Sequence, residues 1–240
     1  TYTYLPDQNH FESVTIANQS RLIINSSSKF DSTLLNIKNQ GFVFLQTQME
    51  VDELLISDGG TLTHFEGQTG FDLLVSDNLN IEYGGNLSAN GKGYGSEQGP
   101  GAGSGSSNGG KTGGGAGYGG KGGNGTQGSG GVCYGSSTEP VDLGSGGGNI
   151  LNYNTGGRGG GAIKLTVNGT LTVNGEISAD GDKGGCRNGV YDNTCGIGAG
   201  GGSGGSLYLI TNELTGHGSI SAKGGDGGGQ ARLGRGLGLG

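Results

Sequence analysis

The sequence predicts an all-β protein with essentially no α-helix. The expected fold class is a right-handed parallel β-helix, a solenoid, carrying an inserted glycine-rich bundle of polyproline-II type. Three observations predict it. Apolar pairs return at a spacing near twenty residues in the first third of the chain, each alternating with period two. A composite unit of glycine tract, strand, turn and strand recurs in the remainder. Glycine supplies 62 of the 240 residues, against 3 prolines and no tryptophan.

The first strand set is Val14/Ile16, Leu35/Ile37, Leu54/Ile56 and Phe71/Leu73; the second is Leu22/Ile24, Phe42/Phe44, Leu62 and Leu79/Ile81. Between them lie Asn-Gln-Ser, Asn-Gln-Gly and Asp-Gly-Gly, which are turn residues. A repeat this long signals stacked coils, each rising about 4.8 Å. The organisation expected is therefore 1–90 as coils of about twenty residues with a free N-terminal strand, TYTYLPDQ. Residues 91–240 continue the same solenoid, interleaved with glycine tracts.

The later copies begin at Leu79 (LNIEYGGNLSANGKG), Leu171 (LTVNGEISADGDKGG) and Leu214 (LTGHGSISAKGGDGG), each passing through Ser-Ala-x-Gly into glycine. The tracts cover roughly 91–131, 144–161, 181–206 and 224–240. Collagen is excluded by the missing G-X-Y period and the scarcity of proline. Ordering glycine costs about 1–2 kcal/mol per residue, and glycine has no side chain whose burial would offset it. Main chain hydrogen-bonded to neighbouring main chain is the remaining source of order.

Thirteen Lys+Arg against twenty Asp+Glu give a net charge of −7, which excludes attraction to nucleic acid or an anionic membrane. No apolar run is long enough for a membrane span. The chain opens on Thr1 rather than Met, which predicts a processed chain or a fragment of a longer one.

Several motifs carry chemistry elsewhere and are weighed by context. Gly105 to Thr112, GSSNGGKT, satisfies the phosphate-loop pattern, yet glycine on both sides denies it the strand and helix that the mechanism needs. His10, His64 and His217 are scattered, with no nucleophile elbow. The pairs Asp52/Glu53, Asp72/Asp77 and Asp180/Asp182 suit turn residues better than polysaccharide cleavage, so no enzyme is expected. Asp182 and Asp226 sit in glycine tracts without the regular calcium-binding nonapeptide; no cofactor is expected, though calcium is kept open. Arg158 in GGRGG is a single arginine in an acidic chain, and Thr61-Leu62-Thr63 and Thr170-Leu171-Thr172 do not extend into a regular threonine array.

Cys186 and Cys195 bracket CRNGVYDNTC and predict a disulfide, leaving Cys133 odd. Sequons stand at Asn18, Asn25, Asn86, Asn124 and Asn168, making these the candidate N-glycosylation sites. Both features suit an oxidising, extracellular setting.

The unit GGGSGGSLYLITNELTGHGSISAKGGDGG resembles the glycine-rich coils of large secreted and cell-surface proteins, over most of the chain after Phe71. GGKTGGGAGYGGKGGNG is similar to the glycine-rich extracellular region of anaplastic lymphoma kinase and to the polyproline-II bundle of snow flea antifreeze protein. Neither resemblance implies a catalytic residue. The function expected is that of an extracellular structural protein, part of a surface filament, sheath or adhesin, assembling through open β-helix ends. Its partners would be copies of itself or neighbouring surface proteins and glycans. The alternatives are a carbohydrate- or ice-binding adhesin module and, third, a polysaccharide-active enzyme.

Overall fold

In the computed structural model, residues 11–25, 32–107, 112–150, 155–188 and 195–228 are described. The N-terminal segment with His10, and Lys111 of the phosphate-loop match, lie outside them. The described residues contain sixteen strands and no helix.

Alternation of small apolar and polar residues builds the first strands: β1 (Phe11–Ile16), β2 (Arg21–Ile24), β3 (Ser32–Ile37), β4 (Phe42–Leu45), β5 (Met49–Val51) and β6 (Glu53–Ile56). Then follow β7 (Thr61–His64), β8 (Phe71–Val75), β9 (Leu79–Ile81) and β10 (Asn86–Ser88). After the glycine-rich insertion come β11 (Ala162–Val173), β12 (Glu176–Ser178), β13 (Cys186–Asn188), β14 (Cys195–Gly198), β15 (Ser206–Thr215) and β16 (Ser219–Ser221). The turns that join β1 to β2, β3 to β4 and β6 to β7 need positive φ at two successive residues. Asn18/Gln19, Asn39/Gln40 and Asp58/Gly59 supply it. The turns also stack: Gln40 N–H donates to Asp58 O (3.1 Å) and Gly59 N–H to Gly84 O (2.9 Å).

The expected right-handed parallel β-helix is corrected by the strand pairing. The strands form two distinct sheets, an eight-stranded half-barrel and a second, flat six-stranded sheet, rather than one regular solenoid. The half-barrel runs β1-β3-β6-β9-β11-β8-β5, with β15 also on β11; the flat sheet runs β16-β12-β10-β7-β4-β2. All pairing within both is parallel. The physical reason lies in β11. This twelve-residue strand pairs with β8 through Ile163–Val167 and with β9 through Leu171–Val173, so two rows of strands become one curved sheet. Against β15 its register shifts between Val167 and Thr170. A short antiparallel pair, β13-β14, stands apart.

The core is a set of apolar ladders. One runs Val14, Leu35, Leu54, Leu79, Leu171, Leu214 through the half-barrel. A second runs Leu22, Val43, Leu62, Leu87, Ile177, Ile220 through the flat sheet. In β4 it is Val43 and Leu45, not the apolar pair Phe42/Phe44, that are fully buried. The two phenylalanines lie half-buried on the other face, with Phe44 stacked on Phe65 (4.7 Å) and the Arg21 guanidinium 5.8 Å above Phe42. FVFL is apolar at every position, so alternation cannot choose a face.

Between β10 and β11, and again between β14 and β15, the chain leaves the sheets and forms a lattice of glycine main chain. Three tracts, 143–148, 156–161 and 198–206, are buried almost throughout. Each donates to the next in a closed circuit. Gly147 N–H reaches Gly157 O, Gly157 N–H reaches Gly200 O, and Gly200 N–H reaches Gly148 O, each at 2.9 Å. A second circuit links Gly144 to Gly160, Gly160 to Ser203 and Ser203 to Ser145. Close approach explains the composition: a Cβ at Gly157 would sit 1.9 Å from Asp182 O, and one at Gly200 would sit 1.8 Å from Gly114 O. Tyrosines clasp the lattice from outside. Tyr134 O–H donates to Leu143 O (2.5 Å), and Ser145 O–H donates to Tyr134 Oη (2.8 Å). Burial pushes the Tyr134 phenol up to about 12, so it stays a donor.

Candidate assembly surface

Among the described residues, both sheets end in the same C-terminal layer, β15 on the half-barrel and β16 on the flat sheet. One layer below, Leu171 and Ile177 are fully buried. Their ladder partners Leu214 and Ile220 are 55% and 43% exposed. The chemistry of the rung is unchanged; no further strand among the described residues pairs with β15 or β16 on that side. β15 is ten residues long and has no proline, and Glu213 is its one charged residue. Natural edges are usually blunted by charge, proline or brevity, and this one is not.

The opposite end is the β1/β2 layer. Val14 and Ile16 pack on the core only in part, and Leu22 and Ile24 retain 9% exposure. Their neighbours Leu35, Ile37, Val43 and Leu45 have none. Among the described residues the same ladders thus end at β1/β2 on one side and at β15/β16 on the other, with one strand polarity throughout.

The polar side chains of these motifs engage in structural contacts. The Asp72 carboxylate accepts from Lys164 Nζ (2.8 Å), Asp77 Oδ1 from Asn78 Nδ2 (2.8 Å), and Asp180 from Ser221 O–H and Lys223 N–H. That hydrogen bond and charge raise the Lys164 pKa, while burial raises that of Asp182. Arg158 pairs with Glu66 (3.0 Å) and donates to Gly91 O. Thr112 and Thr126 exchange N–H···Oγ bonds of 2.8 Å, so the last phosphate-loop hydroxyl is engaged. Among the described residues, no group of three His, Cys, Asp or Glu is placed to hold a metal ion. No helix among them is long and apolar enough to cross a membrane.

His64 lies opposite Leu45 in the flat sheet and is fully buried. Its Nδ1–H donates to Phe65 O (2.8 Å), while Nε2 has no hydrogen-bond partner. Burial pushes its pKa down to about 4, so the ring is neutral.

Cys186 and Cys195 fall on β13 and β14 of one antiparallel hairpin, in which Cys186 is opposite Gly198 and Asn188 opposite Cys195. Cys133 is an exposed free thiol. Of the sequons, Asn18, Asn25, Asn124 and Asn168 are exposed. Asn86 is half-buried within β10, and its Nδ2 donates to Gly84 O (2.9 Å). Alternation located the ladders but not their open ends. Aligning the strands on the turn positions Ser20, Gly41, Gly60 and Gly85 would have revealed both the inward parity of Val43 and the last rung at Ile220.

No protein-family model, curated protein or solved structure matches this chain.

Proposed function

We propose that this chain is an extracellular structural protein, a repeating part of a surface filament or sheath, whose copies stack head to tail. The observation that carries this reading is the pair of ladder residues Leu214 and Ile220, exposed at one end where their equivalents one layer down are buried. A second copy can supply a further layer. Its β1 would pair with β15 and place Val14 over Leu214; its β2 would pair with β16 and place Leu22 over Ile220. Such an interface joins two different surfaces and does not close, which gives a fibre. The glycine lattice adds lateral bulk, and the exposed sequons and the two cysteines in one hairpin favour a secreted setting.

Sedimentation velocity and negative-stain electron microscopy over a concentration series test it. Wild type is expected to form rods that lengthen with concentration. Leu214→Asp combined with Ile220→Asp should remain monomeric with unchanged circular dichroism. Monodisperse wild-type monomers at high concentration would sink the reading.

A further inference from the structure

A cleft of about 230 Å³ opens on the outer side of β8 and β11, separate from the stacking ends. Its polar walls are Gln46, Gln48 and Thr69, with the Asp72–Lys164 ion pair on one side and the exposed Val141 on another. The side-chain amides of Gln46 and Gln48 and the Thr69 hydroxyl bond to no other described residue, and Gln46, Gln48 and Thr69 are all exposed. The ion pair is accessible as well, its side chains being 32% and 40% exposed.

We propose that this cleft binds a neutral pyranose unit through adjacent hydroxyls. Lys164 Nζ engages Asp72 Oδ2, so Oδ1 of the same carboxylate keeps its capacity to accept and the ammonium keeps two further donors. A donor site and an acceptor site thus lie side by side, 2.8 Å apart at their nearest atoms. Two neighbouring hydroxyls of a sugar ring meet both, one donating to Asp72 and the next accepting from Lys164. The free amides offer a donor and an acceptor each to the remaining hydroxyls, and Val141 offers apolar contact to the C–H face. A cleft of this volume admits a single ring.

The charge pattern selects against other ligands. The two charges cancel, so a uronate or sulfated sugar gains nothing from Lys164 that it does not lose to Asp72 in an acidic protein. A metal cation at Asp72 would sit beside the Lys164 ammonium, whose charge repels it. A hydrocarbon would leave two amides and an ion pair unsolvated.

The test is a glycan array probed with the full chain, bearing neutral, uronic and sulfated oligosaccharides, followed by calorimetric titration with the best neutral binder. Binding to neutral pyranosides is expected. Asp72→Ala and Lys164→Ala should each weaken it tenfold or more, with thermal unfolding within 2 °C of wild type. Asp72→Asn, which keeps an acceptor, should retain more affinity than Asp72→Ala. The proposal is overturned if no neutral glycan is retained, if only anionic glycans are, or if both alanine variants bind as wild type does.

Discussion

His64 is a histidine on a ladder whose preceding rungs carry Ile24 and Leu45. Burial depresses its pKa to about 4, against about 6.5 in an unfolded chain. The unfolded state therefore binds the extra proton first as pH falls. Its contribution to stability is complete above pH 6.5 and is lost progressively down to pH 4, by about 3 kcal/mol in all. Urea denaturation from pH 7 to 4.5 should register this loss in wild type, and His64→Leu should flatten it. An unchanged slope in the variant would mean that His64 titrates normally. The sequence offered the residue but not its setting, since one histidine in TLTH reads equally well as a surface turn. Only the alignment of Ile24 and Leu45 with it reveals a core position.

At the level of elements, the glycine tracts separate into places where glycine is required and places where it is tolerated. Gly157→Ala drives a methyl into Asp182 O within the closed circuit, and should cost about 3 kcal/mol or prevent folding. Gly119→Ala meets nothing within 4 Å and should stay within about 0.5 kcal/mol of wild type. Hydrogen exchange gives the same contrast without mutation: the amides of Gly147, Gly157 and Gly200 should exchange slowly, and rapid exchange there would contradict the lattice. Composition made main-chain pairing legible, because no other force can order glycine. It could not reveal which tract pairs with which, since GG-x repeats look alike and the partners are tens of residues apart. The β13-β14 hairpin is a simpler element. Closure of Cys186 with Cys195 would add about 2–3 kcal/mol through a ten-residue loop. One maleimide-reactive thiol per native chain, at Cys133, is the expected result; three would refute the bridge.

For the whole molecule, the parallel strands and their repeat were readable from period-two alternation and the returning Ser-Ala-x-Gly. The division into a half-barrel and a flat sheet was not, because it depends on one long strand, β11, collecting both β8 and β9. Their contiguity across the glycine insertion leaves no local trace. That same architecture gives the molecule a direction, with β1/β2 at one end and β15/β16 at the other, and direction has a consequence for assembly. A chain carrying Leu214→Asp and Ile220→Asp keeps an intact β1/β2 layer, so it can still join the exposed β15/β16 end of a growing rod but presents a blocked end to the next subunit. Mixed into wild type at one part in twenty, it should shorten the rods well beyond simple dilution, as length distributions in electron micrographs would register. If copies instead met through matching β15/β16 layers, the contact would close as a dimer, and wild type would form no rods for the variant to shorten. The mixing experiment therefore distinguishes polar stacking from a symmetric contact using the same two exposed side chains.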